Sequence, residues 1–175
     1  MDHADRKDLP LATPAAIGDN DCSIQPGIAM RIWKQQADLA TLDGWSAHTL
    51  MRALDIRITE IGDDYLRGTL PVDDRTRQPY GILHGGASVA LAETLGSTAA
   101  MLCCEDGRAA VGLEINANHL RAVREGTVTG TARPIHVGRS TQVWEIRIEN
   151  EAGELTCIAR LTMAVVSDNT FTLRK

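Results

Sequence analysis

Between Gly85 and Cys104 the chain carries a twenty-residue run, GGASVALAETLGSTAAMLCC, whose only charged residue is Glu93. A run that long and that uniformly apolar is best used as a helix placed inside a core. Its length also matches a membrane span. Its glycines, hydroxyls, many alanines and one acid make it weak on that scale, and strand-like segments follow it. The fold must therefore bury one long helix, and it must do something with a carboxylate that is costly to bury unless paired, protonated or used.

The flanking segments say what buries the helix. Residues 1–27 hold Pro10, Pro14, Gly18, Asn20, Pro26 and Gly27 and read as a flexible N-terminal extension, with 28–175 as the folded domain. From Ile28 to Arg52 the pattern is helical. A break is expected near Asp43-Gly44, and Thr41 or Asp43 is the candidate cap of a short helix. Leu54 to Ile61 alternates with period two, Gly62 to Asp64 turns, and Tyr65 to Val72 completes a hairpin. The loop 73–83 feeds the helix over 84–104, which Glu105-Asp106-Gly107 should stop, with glycine at the C-cap.

Four strands are then predicted at 109–121, 126–137, 140–150 and 154–166. Val143 to Ile148 alternates, so one face should be wet. Leu155 to Val166 is more apolar and is expected to be covered on both faces. A hairpin, one buried helix and a four-strand meander make an α+β fold, an antiparallel sheet wrapped around a single helix.

A length of 175 residues supports one domain with a real core. The net charge of −5 argues against a nucleic-acid partner. The N-terminal MDHADRKD lacks an apolar h-region, so no secretory signal is expected. Cys22, Cys103, Cys104 and Cys157 show no zinc-like spacing and read as reduced, small apolar residues of a cytoplasmic protein, with no metal and no membrane partner.

The chemistry gathers at the helix start. Gln78-Pro-Tyr-Gly-Ile-Leu-His-Gly-Gly86 delivers His84, Gly85 and Gly86 where the first helical N–H groups lack internal partners and carry the positive end of the dipole. Glycines there either allow a ligand close to the backbone or simply make a tight turn. A carbonyl oxygen gaining charge would be stabilised at such a place. Glu93 lies eight residues beyond Gly85, about 12 Å along a helix. That is too far for both to serve one carbonyl from the same chain. If both act, two antiparallel chains must share the site, which predicts a dimer. The alternative is that Glu93 is a core acid satisfied by a polar neighbour.

The segment Gln78 to Ser97 strongly resembles hotdog-fold acyl-CoA thioesterases of the 4-hydroxybenzoyl-CoA and 1,4-dihydroxy-2-naphthoyl-CoA type, related more broadly to phenylacetate-pathway thioesterases. The resemblance continues through Ala110–Gly126 and Pro134–Ile146 and covers roughly residues 30–166. It implies Glu93 as the catalytic carboxylate, nucleophile or base. It implies Gly85 as backbone donor to the thioester oxygen, Gln78 as side-chain donor near it, and His84 as an active-site or orienting histidine. Ser97, at i+4 from Glu93, would position water or the carboxylate.

By the same resemblance His119, with Asn118 and Arg121, lies near the acyl end of the substrate. Gly138, Arg139 and Ser140 contact the nucleotide of CoA, at a turn that also holds Arg133 and the substrate-binding candidate His136; both tracts also read as ordinary solvated surface. Coenzyme A enters as part of the substrate, with no separate cofactor, and the assembly implied is a dimer, in this family often a dimer of dimers. Two other functions stay open: a hotdog hydratase or dehydratase, and a non-catalytic acyl-CoA-binding protein.

Overall fold

The computed structural model describes residues 31–170, so the extension assigned to 1–27 and Cys22 lie outside the described residues. The elements in chain order are α1 (Leu39–Trp45), α2 (Leu50–Leu54), β1 (Arg57–Ile61), β2 (Leu66–Pro71), α3 (Gly85–Leu102), β3 (Arg108–His119), β4 (Thr127–Val137), β5 (Thr141–Glu149), β6 (Leu155–Ser167) and a closing 3₁₀ turn, Asp168–Thr170. The strands form one antiparallel sheet in the order β1-β2-β4-β5-β6-β3. The α+β architecture expected from the sequence, a sheet around one helix, is the one observed.

Helix α3 is the buried axis. Its sheet-facing side is Leu91, Ala92, Leu95, Gly96, Ala99 and Ala100, all buried. Small residues set how closely it approaches the sheet. A Cβ at Gly130 would lie 2.7 Å from Leu95 Cδ1, and one at Gly96 would lie 2.5 Å from Leu161 Cδ2. Leu66, Leu70, Val128, Ala132, Trp144, Ile146, Ile148 and Leu161 complete the core from β2, β4, β5 and β6. The buried Gln142 donates to Ala100 O at 3.3 Å and accepts from Trp144 Nε1 at 3.1 Å, which meets the polar needs of both side chains.

The segment before α1 straps the far end of α3. Lys34 and Gln35 donate backbone N–H groups to Leu102 O, at 2.8 and 3.0 Å. Trp33 stacks on Trp144, with ring centroids 6.4 Å apart and planes 5° apart, and donates Nε1 to Gly62 O at 2.6 Å. The last-turn carbonyls that a helix leaves orphaned are thereby used by the chain itself.

Several expectations change. Residues 31–38 are not helical; their backbone groups are spent on the α3 end and on Asp63. The first helix runs through Asp43-Gly44, breaks at Ser46–Thr49, and is capped by Asp38, whose carboxylate accepts from Thr41 N at 2.8 Å. Neither Thr41 nor Asp43 caps a helix. The C-cap of α3 is Cys103; Gly107, at φ +76°, turns the chain into β3. The four-strand meander is only three strands long. β3 pairs with β6, at the sheet edge, and β4 pairs with β2, so the helix crossover puts β3 on the far side. β6 is buried mainly on one face, through Cys157, Ala159, Leu161 and Met163, because among the described residues no second layer covers its other face.

Cys103, Cys104 and Cys157 are unpaired and buried, as small apolar residues. Burial, with a smaller push from Cys104, raises the Cys103 thiol from 9.0 to about 12. An acid raised on folding costs nothing below its unfolded pKa and destabilises as pH climbs toward its folded one. Stability should thus begin to fall above about pH 9 in part through this thiol. Thermal melts at about pH 8 and about pH 11 should show a shallower fall for Cys103→Ala than for the parent chain.

A packing prediction follows from β2. A Cβ at Gly68 would sit 2.6 Å from Arg57 O and 2.8 Å from Leu95 Cδ2. Because one of those atoms is backbone, Gly68→Ala should destabilise by about 1–3 kcal/mol. Urea unfolding would measure the loss.

Candidate active site

Four N–H groups open α3, and three are claimed. His84 is the N-cap, in extended backbone, and its Nδ1 accepts from Gly86 N at 2.8 Å. Ala87 and Ser88 donate to His84 O at 2.9 and 3.2 Å. Among the described residues nothing accepts from the Gly85 N–H. With Nδ1 accepting, the His84 proton sits on Nε2, so this histidine caps and orients the helix start.

The loop before the helix is held by backbone bonds: His84 N to Thr76 O at 2.8 Å, Leu83 N to Val123 O at 2.7 Å and Gln78 N to Ile82 O at 2.9 Å. Gln78 Oε1 accepts from Tyr80 N at 3.0 Å. That fixes the amide and leaves its NH₂ side free to donate. Gln78, Gly85, Ser88, His119, Arg121 and Thr156 line one cavity of about 310 Å³. The structure thus brings together three tracts that lie far apart in sequence.

His119 reaches this cavity because of an irregularity in β3. Gly112 pairs with Met163 and Glu114 with Thr162, so Leu113 is an extra, unpaired residue, a β-bulge. Before it Ala110 packs on the core; after it Ile115 and Ala117 do. The inward face changes from even to odd positions, and His119 turns in. The three atoms nearest a Cβ on Gly85 all belong to His119, with Nε2 at 2.7 Å. Asn118 falls on the opposite face of the strand, exposed and away from the cavity. Arg121 pairs with Glu154 at 3.4 Å on the rim.

Glu93 is half-buried on the flank of α3 that faces β3, not sealed in the core. Its Oε1 accepts from Ser97 Oγ at 2.9 Å. Ser97 also approaches Met163 Sδ at 3.8 Å. The same Oε1 lies over Gly112, where a Cβ would be 2.9 Å away. Gly112 escaped the sequence reading. The signal was present, because an isolated glycine inside a strand marks a bulge or a close approach of another group.

The β4–β5 turn lies at the other end of α3. Gly138 and Arg139 line a separate cavity of about 480 Å³ with Lys34, Glu105, Arg108 and Gln142. Its cations are Lys34, bridged to Glu105 at 2.5 Å, and Arg108 and Arg139; Arg108 Nη2 donates to Val165 O at 2.8 Å. Lys34 and Arg108 are site candidates that sequence reasoning missed, since they are far from the turn in the chain. His136 folds over Gly138, whose Cβ would be 2.5 Å from His136 Nε2. Ser140 accepts from Val165 N through its carbonyl. Neither of these two lines the cavity. Arg133 is held elsewhere, bound to Asp64 at 2.7 Å and stacked over Tyr65.

Within one chain, then, the Gly85 cavity and the Arg139 cavity stand at opposite ends of an eighteen-residue helix, about 27 Å long, with Glu93 between them. Among the described residues no cluster of three or more His, Cys, Asp or Glu could hold a metal ion, and no helix is long and apolar enough to cross a membrane.

Known proteins share this fold. The sequence profile of the Thioesterase superfamily matches residues 80–157. A 1,4-dihydroxy-2-naphthoyl-CoA hydrolase of Escherichia coli is 52% identical over 135 residues, 77% of this chain and 99% of the relative. The crystal structure of a Haemophilus influenzae thioesterase superposes with a TM-score of 0.76 at 50% identity, covering 78% of this chain and 95% of that one. A Staphylococcus aureus thioesterase, 38% identical, has been solved with one glutamine replaced by alanine and, separately, with one glutamate replaced by alanine. Those structures give TM-scores of 0.64 and 0.66, covering 66% and 68% of this chain and 97% and 99% of theirs. With a curated relative matched over nearly its whole length and the same helix-in-sheet architecture, this chain belongs to the thioesterase superfamily and is an enzyme of the hotdog fold.

Proposed function

We propose that the protein hydrolyses an acyl-CoA thioester with an aromatic or otherwise hydrophobic acyl group, in sites shared between two subunits. The observation that carries the reading is the unclaimed Gly85 N–H beside the free Gln78 amide, on the same helix as a carboxylate held by Ser97. The thioester oxygen lies against the Gly85 N–H, with Gln78 as second donor, so charge developing on it meets fixed donors at the positive end of α3. Glu93 of the other chain then attacks the acyl carbon or takes a proton from the attacking water. The acyl C–S bond breaks and CoA leaves as thiolate and recovers a proton; attack by water yields the free acid directly, whereas attack by Glu93 leaves an acyl-enzyme anhydride that a water then hydrolyses to the free acid and the Glu93 carboxylate.

The acyl group rests near His119, and Gly138, Arg139, Arg108 and Lys34 face the phosphates of the CoA nucleotide. Arginine's forked donors suit that charge. Coenzyme A arrives with the substrate and no further cofactor is needed. The relatives support the choice of thioester. In the two Staphylococcus aureus variants the altered glutamine and glutamate lie fifteen residues apart, the interval between Gln78 and Glu93 here. The E. coli relative's naphthoyl substrate favours an aromatic acyl group.

The free edge of β3 supports the assembly. It is twelve residues long, pairs only with β6 among the described residues, and exposes Leu113 at 63%. An unpaired edge of that length invites another chain. A second copy set across it by a two-fold axis runs α3 antiparallel to itself and carries Glu93 toward the partner's helix start. Two such dimers make the expected tetramer.

Glu93→Gln should lower hydrolysis of an aromatic CoA ester by about 10²-fold or more while the fold is kept. A folded variant with parental turnover would sink the mechanism. The shared site has its own test. Glu93→Gln and Gln78→Ala, each weak alone, should regain up to about a quarter of parental activity after subunit exchange, because half of the dimers are mixed and one of their two sites is intact. No gain on mixing would place both residues in one chain's site.

A further inference from the structure

We infer that Gly112 is a positioning residue for the reaction: by carrying no Cβ it leaves open, at the β3 bulge, the space in which the Glu93 carboxylate lies. The inference rests on the reading of Glu93 as the reacting carboxylate.

Nothing in the backbone asks for glycine at 112. Its φ is not in the left-handed region, unlike Gly81, Gly107, Gly126 and Gly153. A Cβ built there meets only Glu93 within 4 Å, at 2.9 Å from Oε1 and 3.8 Å from Cδ. A contact that short forces something to move. Here the atom that moves is the tip of a flexible side chain, so the fold gives way at little cost while the carboxylate is displaced. The oxygen displaced is the one that accepts from Ser97 Oγ at 2.9 Å. One methyl group at 112 thereby removes two constraints on the carboxylate, its floor and its tether. The bulge at Leu113 places that floor, since it lets Gly112 face the helix while Ile115, Ala117 and His119 also face inward. Displacing a reacting group by about 1 Å can cost on the order of 10²-fold.

The test measures thiol release from benzoyl-CoA, with thermal melts, for Glu93→Gln, Gly112→Ala, Ser97→Ala and the double variant Gly112→Ala/Ser97→Ala. The expected result for Gly112→Ala is a kcat lower by about 10- to 100-fold. Its KM should stay within about threefold and its melting temperature close to the parent's, since the methyl meets nothing that holds substrate or fold. The double variant should be no slower than the slower single, because both act on the same oxygen. Parental kcat in Gly112→Ala beside a lost kcat in Glu93→Gln overturns the role of Gly112 and leaves that of Glu93. So does a melting temperature lower by more than about 3 °C, equivalent to roughly 1 kcal/mol in a domain of this size, since the methyl would then meet more than the carboxylate. Full activity in Glu93→Gln overturns the underlying reading instead.

Discussion

Everything in this fold answers to the packing of α3 against the inside of a curled sheet. A helix can be surrounded that closely only where its neighbours are small. The chain supplies Gly96, Ala92, Ala99 and Ala100 on the helix and Gly68 and Gly130 on the strands, while Leu91 and Leu95 reach into the space left. The consequence is directional. The sheet-facing side of the helix has no room for a polar group, so Glu93 must sit on a flank, where the edge strand β3 passes. The acid that looked most anomalous in sequence is half-buried because the fold offers it the one side of α3 that is not packed solid.

The same packing decided what could be read from sequence. The element types from Arg57 onward were legible, because period-two alternation in β5 and an uninterrupted apolar run in α3 are strong local signals, whereas Leu54, expected to open the first strand, ends α2. Strand order was not: the meander broke because β3 pairs across to β6, a long-range choice that local pattern does not encode. The segment 31–38 was misread for a related reason. Its apolar residues face the end of α3 and the Trp144 ring, and its N–H groups cap Leu102, so tertiary partners overrode its helical pattern.

The site shows the division sharply. Gly85, Gln78 and Glu93 were named from one contiguous stretch, and the structure places the first two on one cavity with His119. Strict alternation along β3 would set Val111, Leu113, Ile115 and Ala117 on one face. The bulge moves Ala110 and Gly112 inward instead and leaves Leu113 exposed. One extra residue thus does two jobs about 12 Å or more apart along α3: it seats the carboxylate on Gly112 and turns His119 toward Gly85.

That coupling bears on the proposed two-chain site. A helix start and a carboxylate eight residues later are held rigidly by the same helix, so their separation cannot be adjusted by side-chain motion. In the proposed dimer a two-fold axis resolves the distance by using each feature twice, once in each of two sites. The geometry then depends on how β3 presents its edge, since α3 and β3 meet at Gly112. An irregular strand is tolerable there because its outer edge is unpaired among the described residues. The unpaired Leu113 and the two-faced inward register make β3 a poor template for indiscriminate pairing. In the proposed dimer the bulge that positions the carboxylate also lies on the edge that meets the partner.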